Sequence, residues 1–144
     1  MRYQKLIKRI KQNEGFSTKP YKDQLGFPTV GYGHLILSKE GYLFKNKNTK
    51  PQLEKIFIKD FNKAVSDYNK FLKRKAYNKK DEELLIEMVF QMGEKRVLMF
   101  KKLLSNMKKN NKYLVCFEMM NSLWYSQTPN RVKNLIKVFL KNER

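Results

Sequence analysis

The sequence contains few of the residues on which several kinds of site depend. One cysteine and one histidine among 144 residues exclude an intramolecular disulfide and provide no cluster of metal ligands, so we expect neither a metal nor a cofactor. The cysteine, Cys116, lies in the apolar segment YLVCFEMM and is expected to be buried. No apolar run approaches the roughly 18 residues of a membrane span. The opening MRYQKLIKRIKQ lacks the apolar core of a secretory signal, which predicts synthesis in the cytoplasm.

Acidic residues are also few, because 13 of them stand against 32 lysines and arginines, for a formal net charge of +19. Such a charge attracts polyanions, which include nucleic acid, anionic lipid and anionic cell envelopes. Arginine, which binds guanine and phosphate through two parallel hydrogen bonds, supplies only 6 of these 32 cations. No zinc-finger, basic-zipper or RNA-recognition motif is present, so we expect no specific nucleic-acid partner. Mutational bias toward lysine and asparagine is an alternative source of part of the charge.

Apolar residues recur at helical spacing through most of the chain, of which 41% is hydrophobic. Residues 3–14 predict an amphipathic helix that ends at Gly15. Residues 19–35 predict two strands joined by a turn at QLGFP, and a polar connection follows at 38–48. Thr49 then begins a capping-box pattern ahead of a helix of more than 20 residues.

The second half of the chain predicts helices only. The segment DEELLIEMVFQM ends at Gly93, and residues 95–107 and 112–123 predict two further helices. Thr128 as N-cap and Pro129 as first helical residue begin the last helix.

These patterns predict an α+β fold in a single domain, residues 1–144. A small β-hairpin lobe at about 15–50 would be joined by the long helix to a helical lobe. The helical lobe would comprise residues 51–144 together with the N-terminal helix 3–14.

Glu14, Asp23 and Thr29 stand at intervals of nine and six residues around the predicted hairpin. Glu14 continues the apolar face at the end of the first helix, where burial and the helix dipole would raise the pKa of its carboxyl group. Asp23 lies in a polar turn and is expected to stay ionised, and Thr29 would hold a water beside it. Two carboxyl groups in such contrasting environments suit the acid and the base of a glycoside hydrolase. The alternatives are a solvated Glu14, turn support by Asp23 and plain strand propensity at Thr29.

Asp60 interrupts the apolar face of the long helix, and the only histidine, His34, lies on the strand expected to face it. Because a partly buried acid needs a partner, we predict a His34–Asp60 contact that bridges the two lobes. Separate solvation of the two side chains is the alternative.

Three segments resemble the phage-type lysozymes, the endolysin muramidases. They are the Glu14–Asp23–Thr29 spacing that ends in GYGHL, the segment MVFQMGE at 88–94 and the segment WYSQTPNR at 124–131. The likeness covers most of the chain and is thin from about 38 to 80. It implies a lysozyme-like fold and hydrolysis of the β-1,4 bond between N-acetylmuramic acid and N-acetylglucosamine in bacterial peptidoglycan.

The same resemblance implies a role for each residue of the motif. Glu14 would be the general acid, and Asp23 would be the base for an attacking water that Thr29 orients. Inversion at the anomeric carbon is expected, with a covalent route through Asp23 as the alternative. Leu35 and Phe90 would line the substrate cleft.

Further positions follow from the likeness, and some depart from it. Arg131 would lie near the catalytic acid and modulate its pKa, with a purely structural role as the alternative. Gln91 and Trp124 would satisfy each other's polar groups. At two positions where the family pattern has an amide this chain has Glu87 and Glu118. A third departure is Leu103, which stands where a small hydroxyl residue is expected.

The charge keeps a second function open, a cationic wall-binding or membrane-perturbing antibacterial protein with weak or no catalysis. As an endolysin, the protein would reach peptidoglycan after release from the cytoplasm, for example through a holin lesion. A particle-packaged enzyme and a eukaryote-borne antibacterial enzyme are equally compatible with the sequence. We expect a monomer.

Overall fold

The protein is described here from a computed structural model, in residues 2–44 and 48–141. It divides into two compact units, Met1–Lys63 and Ala64–Arg144. The predicted α+β class is confirmed, since a small antiparallel sheet near the N-terminus is followed by helices. The organisation as a single domain of two lobes stays a prediction.

The first unit contains one helix, a three-stranded sheet, a 3₁₀ helix and the start of a long helix. In chain order these are α1 (Gln4–Glu14), β1 (Ser17–Lys22), β2 (Pro28–Gly31), β3 (His34–Leu35), the 3₁₀ helix (Ser38–Leu43) and α2 (Lys50–Phe71). Gly15 ends α1 as predicted, and its N–H donates to the carbonyl of Lys11 at 3.0 Å. The segment 38–48, which was predicted as a polar connection, begins with the 3₁₀ helix. Its residues 45–47 lie outside the described residues.

The prediction of two strands in residues 19–35 was incomplete. β2 ends at Gly31, after which Tyr32 and Gly33 turn the chain into β3, giving the order β1-β2-β3. Gly31 and Gly33 have φ angles of 67° and 77°, a region that side-chain-bearing residues rarely adopt. Gly31 therefore ends β2, and Gly33 lies in the tight turn that follows.

The long helix α2 has 22 residues, as its apolar spacing predicts. Thr49 Oγ1 accepts a hydrogen bond from the backbone N–H of Gln52 at 3.3 Å, which confirms the predicted N-cap. One hydrophobic cluster of the first unit consists of buried side chains from β2, the segment after β3, the 3₁₀ helix and α2. Its members are Val30, Ile36, Leu43 and Leu53, with Ile56 packed against them.

The second unit is helical in the described residues. After the end of α2 it comprises α3 (Lys79–Met92), α4 (Glu94–Leu98), α5 (Lys101–Lys108), α6 (Lys112–Met120), α7 (Leu123–Gln127) and α8 (Pro129–Leu140). Asn78 caps α3 by accepting a hydrogen bond from the Asp81 N–H at 2.9 Å, and the Asp81 carboxylate accepts from the Asn78 N–H in return. Cys116 is buried as predicted, and burial raises the pKa of its thiol to about 11.

Two helices predicted as continuous are each divided in two. The predicted helix 95–107 breaks at Phe100, and the predicted helix 112–123 ends at Met120. Ser122 then caps α7 by accepting a hydrogen bond from the Tyr125 N–H at 3.1 Å. Thr128 precedes α8 as predicted, but its hydroxyl donates to the carbonyl of Trp124 at 3.1 Å and makes no cap.

Candidate functional site

Glu14 is the last residue of α1, and its carboxyl group lies against the turn between β2 and β3. A Cβ atom on Gly33 would overlap Glu14 Oε2 and would lie 3.0 Å from Glu14 Cδ. The partly buried carboxyl group is therefore in contact with bare backbone. Close approach of this kind requires glycine at position 33, and the positive φ of that residue requires it independently.

Asp23 directly follows β1 and organises the turn into β2. Its Oδ1 accepts hydrogen bonds from the N–H groups of Leu25 and Phe27, both at 2.9 Å. Its own N–H donates to the Phe27 carbonyl, also at 2.9 Å. Turn support, the alternative considered for Asp23, is thus present and fixes the orientation of the carboxylate. Among the described residues no hydrogen bond reaches Oδ2, so this oxygen can act as a proton acceptor.

Thr29 is a buried residue of β2, opposite Tyr21 of β1. Its hydroxyl donates to the carbonyl of Phe27 at 3.0 Å. Since a hydroxyl has one proton, Thr29 Oγ1 can offer only lone pairs to another group. Phe27 also donates its backbone N–H to Asp23 Oδ1, so Thr29 and Asp23 are hydrogen-bonded to the same turn residue.

Tyr21 was not predicted to be a site residue, but the charges of both the Glu14 and the Asp23 carboxyl groups act on its phenol. Burial raises the pKa of the Tyr21 phenol, and the charges of Glu14 and Asp23 raise it further. Both carboxyl groups are therefore close enough to act electrostatically on one side chain. Strand alternation was the available signal, because Tyr21 and Asp23 are two residues apart and project from the same side of the chain.

The predicted contact between His34 and Asp60 is confirmed, with 2.7 Å between His34 Nδ1 and Asp60 Oδ2. The histidine has a second acidic partner that the sequence did not indicate, because Nε2 lies 3.0 Å from Glu40 Oε1. All three residues lie in the first unit. The contact therefore joins β3 to α2 within that unit, and its predicted role as a bridge between two lobes stays a prediction.

The pKa values of His34 and Glu40 shift in opposite directions. The hydrogen bond to Asp60 is the main cause that raises the pKa of His34, against the opposing effect of burial. Burial of Glu40 favours its neutral form, but hydrogen bonds from the Leu37 N–H and from His34 outweigh it and lower the pKa of Glu40. The cluster is thus most favourable with a protonated imidazole between two carboxylates.

A second polar cluster positions the turn that contacts Glu14. The hydroxyl of Tyr32 donates to Glu54 Oε1, and Lys11 Nζ donates to Glu54 Oε2, both at 2.8 Å. Lys11 Nζ also lies 5.0 Å from the centre of the Tyr32 ring. Burial, followed by the hydrogen bond to Glu54, raises the pKa of Tyr32 to about 12. The cluster joins α1, the β2–β3 turn and α2, and it was not predicted.

In the second unit, the predicted pair of Gln91 and Trp124 is confirmed. The indole Nε1–H of the buried Trp124 donates to Gln91 Oε1 at 2.9 Å. This bond connects α3 to α7 and satisfies a polar group that would otherwise be buried without a partner.

Glu87, one of the departures from the family pattern, is fully buried. Its Oε2 lies 3.7 Å from Nη2 of the largely buried Arg131. Arg131 therefore has an ionic partner within the second unit, while its predicted proximity to Glu14 stays a prediction. Leu103 is part of the buried core, and Glu118 is partly buried.

The residues predicted to contact substrate differ in exposure. Leu35, at the end of β3, is exposed, whereas Phe90 of α3 is partly buried. Within residues 2–44 and 48–141, no three His, Cys, Asp or Glu side chains are arranged to hold a metal ion. In the same residues no helix is both long and apolar enough to cross a membrane.

Two carboxyl groups beside one small sheet, one against bare backbone and one held by a turn, suit acid–base hydrolysis of a glycosidic bond. Comparison with known proteins agrees with this class of chemistry. The model of the phage lysozyme family matches residues 11–138. The chain therefore belongs to the phage lysozyme family, and it is a glycoside hydrolase.

Proteins of Dictyostelium discoideum and of a Pseudomonas phage are among those similar to this chain. The chain is 32% identical to probable T4-type lysozyme 2 of Dictyostelium discoideum, over 90% of each chain. Probable T4-type lysozyme 1 of the same organism is also 32% identical, over 90% of this chain and 89% of that protein. Peptidoglycan hydrolase gp36 of Pseudomonas phage phiKMV is 31% identical over 90% of this chain but only 14% of its own length.

Proposed function

We propose that this protein is a muramidase that hydrolyses the β-1,4 bond between N-acetylmuramic acid and N-acetylglucosamine in bacterial peptidoglycan. The family and its lysozyme relatives support this substrate class. The observation that carries the assignment of residues is the pair of carboxyl groups of Glu14 and Asp23, both of which act on Tyr21. Leu35 and Phe90 are proposed to contact the sugar chain.

In the proposed reaction, Glu14 holds a proton and donates it to the glycosidic oxygen as the bond to the anomeric carbon breaks. Positive charge develops at that carbon and a water attacks it. Asp23 accepts a proton from the attacking water. The contact of the Glu14 carboxyl group with Gly33 limits its orientations, which favours a fixed direction for proton donation.

The hydrogen bonds of Asp23 and Thr29 support one arrangement of the attacking water. Asp23 Oδ1 is occupied by two backbone N–H groups, so Oδ2 is the oxygen available to accept a proton. Thr29 Oγ1 donates its own hydrogen bond to the Phe27 carbonyl and would accept a hydrogen bond from the other O–H group of the water. A water that donates hydrogen bonds through both of its O–H groups keeps an oxygen lone pair for the anomeric carbon.

The proposal is tested by turbidity loss of purified peptidoglycan and by mass analysis of the fragments. Glu14→Gln removes the proton donor and should lower the rate by about 10²–10⁴-fold, the usual contribution of a general acid. The matched change Glu94→Gln, in the second unit, should leave the rate unchanged. The wild-type products should carry new reducing ends at N-acetylmuramic acid.

Two results would contradict this assignment. Equal clearing by wild type and Glu14→Gln would show that Glu14 is not the acid. Clearing without new reducing ends would favour the cationic antibacterial alternative, for which the net charge of +19 is the supporting observation.

The anomeric form of the first product, read by proton NMR, separates the expected inversion from a covalent route through Asp23. The monomeric state and release through a membrane lesion stay predictions.

A further inference from the structure

One face of the second unit carries five exposed apolar side chains within eleven residues. We call it the α6 apolar face, and its members are Tyr113, Leu114, Phe117, Met120 and Leu123. Their exposed fractions range from 45% at Leu114 to 78% at Tyr113. At about 100° per residue, Tyr113, Phe117 and Met120 project within an arc of roughly 60° on α6. Leu114 extends this arc, and Leu123 begins the next helix.

The core of the second unit does not account for the α6 apolar face. Helix α6 already buries a separate side, formed by Val115, Cys116 and Met119, and it packs against α5, α7 and α8. Single exposed apolar residues are normal on a protein surface, but a contiguous group of large ones indicates an interaction site. The five side chains are therefore in excess of what folding of this unit requires.

Along the chain the charge on either side of the α6 apolar face is almost entirely positive, although Asp81 of α3 acts electrostatically on Lys112. From Lys95 to Lys141 the chain contains eleven lysines and arginines and a single carboxylate, Glu118. The exposed Lys108 and Lys109 end α5, and Lys112 begins α6, directly before the apolar residues. Apolar side chains bordered by cations are typical of helices that lie in the interface of an anionic membrane.

The combination of exposed apolar side chains and neighbouring cations favours one kind of partner over others. A nucleic acid would use the cations but leave the aliphatic side chains without a role. A second copy of the chain would bring two positive surfaces together, which is unfavourable. An anionic bilayer satisfies both features, because its headgroups are negative and its acyl boundary accepts apolar side chains.

We propose that the α6 apolar face docks the protein onto an anionic lipid bilayer. Phe117, Met120 and Leu123 enter the boundary between headgroups and acyl chains, while Lys108 and Lys109 contact anionic headgroups. The docking is peripheral and would hold the enzyme at a membrane surface. This inference goes beyond the proposed hydrolysis and does not depend on it, since none of these residues is assigned to the reaction.

The test is co-sedimentation of the full chain with vesicles of phosphatidylglycerol and phosphatidylethanolamine at physiological salt, with phosphatidylcholine vesicles for comparison. The double variant Phe117→Ser/Leu123→Ser changes no charge, so it isolates the apolar contribution. We expect it to weaken binding to the anionic vesicles at least tenfold. Phe44→Ser is the matched control, because Phe44 is 56% exposed and Phe117 is 52% exposed. It should bind like wild type.

Further measurements keep the proposal testable if the double variant folds poorly, as judged by thermal unfolding. Tyr113→Ser alone should weaken binding about threefold, because fewer apolar side chains enter the bilayer. Lys108→Gln/Lys109→Gln should weaken it severalfold, with a smaller effect at high salt. On purified, lipid-free peptidoglycan all these variants should act like wild type, so a failure of the proposed hydrolysis is recognised separately.

Several results would overturn the proposal. One is vesicle binding by Phe117→Ser/Leu123→Ser equal to that of wild type. A second is equal wild-type binding to phosphatidylcholine and anionic vesicles, which would remove the role of the charge. Sedimentation velocity supplies a third, if wild type forms a dimer that the double variant loses, because the face would then be an interface between copies. Retention by an anionic wall polymer with no vesicle binding would assign the charge to the wall instead.

Discussion

The contact between Gly33 and Glu14 allows the proposed acid to be perturbed without changing it. Gly33→Ala places a Cβ atom in the space of Glu14 Oε2, so the carboxyl group must move. The substitution also forces alanine into a positive φ of 77°, which costs about 1–2 kcal/mol. With an unfolding entropy of about 2.1 cal/mol/K per residue, that cost corresponds to a Tm lower by about 3–7 °C.

Gly93→Ala is the control that separates the cost of backbone strain from the effect of moving the Glu14 carboxyl group. Gly93 has a φ of 85°, and a Cβ atom there would have no neighbour within 4 Å. Gly93→Ala should therefore lose a similar amount of stability and keep its activity per folded molecule. Gly33→Ala should lose about 100-fold in reducing-end release, because a displacement of about 1 Å at a reacting group has an effect of that size. Tm is measured by circular dichroism on the same samples.

Release of reducing ends by Gly33→Ala as fast as by Gly93→Ala, at equal Tm loss, would refute this prediction. The position of the Glu14 carboxyl group against the turn would then have no part in the reaction. Equal loss of activity in both variants would attribute the effect to destabilisation instead. A Tm unchanged by Gly33→Ala would show that the turn can relax, and the contact would then not restrict the carboxyl group.

Three further predictions concern other contacts. Because its pKa is raised in the folded state, protonated His34 stabilises the fold below its unfolded pKa of about 6.5, and this contribution disappears as the pH rises through the folded pKa. The free energy of unfolding of wild type should thus fall above that pH, and His34→Gln should abolish the fall. Plots of unfolding free energy against pH that run parallel for the two proteins would contradict this prediction. Gln91→Leu leaves the buried indole N–H of Trp124 unsatisfied and should cost about 1–3 kcal/mol in urea unfolding; made in a Trp124→Phe background, where no indole N–H remains, the same change should cost little. The phenol of Tyr21 stays neutral at pH 7, so Tyr21→Phe should lower kcat by less than the roughly 100-fold that marks an acid or base.

Local sequence features predicted much of the secondary structure. Apolar spacing indicated the long helix and the helical second half, and Gly15 and Thr49 marked a helix end and a helix start. These signals succeed because helix periodicity and capping depend on residues within a few positions of one another. They failed where the same spacing continues across a break, as at Phe100, because a short interruption does not change the pattern.

Two long-range pairs were also predicted, one from a polar residue in an apolar context and the other from the family resemblance. Asp60 on a buried helix face required a partner and His34 supplied it, and the indole of Trp124 required an acceptor and Gln91 supplied it. Burial of a polar group is costly without a hydrogen bond, so such a residue predicts that a partner exists.

The sequence by itself thus determined the fold class and most helices, and it indicated the residues that are proposed for acid–base chemistry. Only the tertiary structure decided their environment, for example that Glu40 joins the histidine cluster and that Glu54 anchors the turn beside the proposed acid. It also decided that Gly33 contacts Glu14 and that Tyr21 senses two carboxyl groups. The physical reason is that these contacts join residues distant along the chain, and their distances follow from packing that no local pattern encodes.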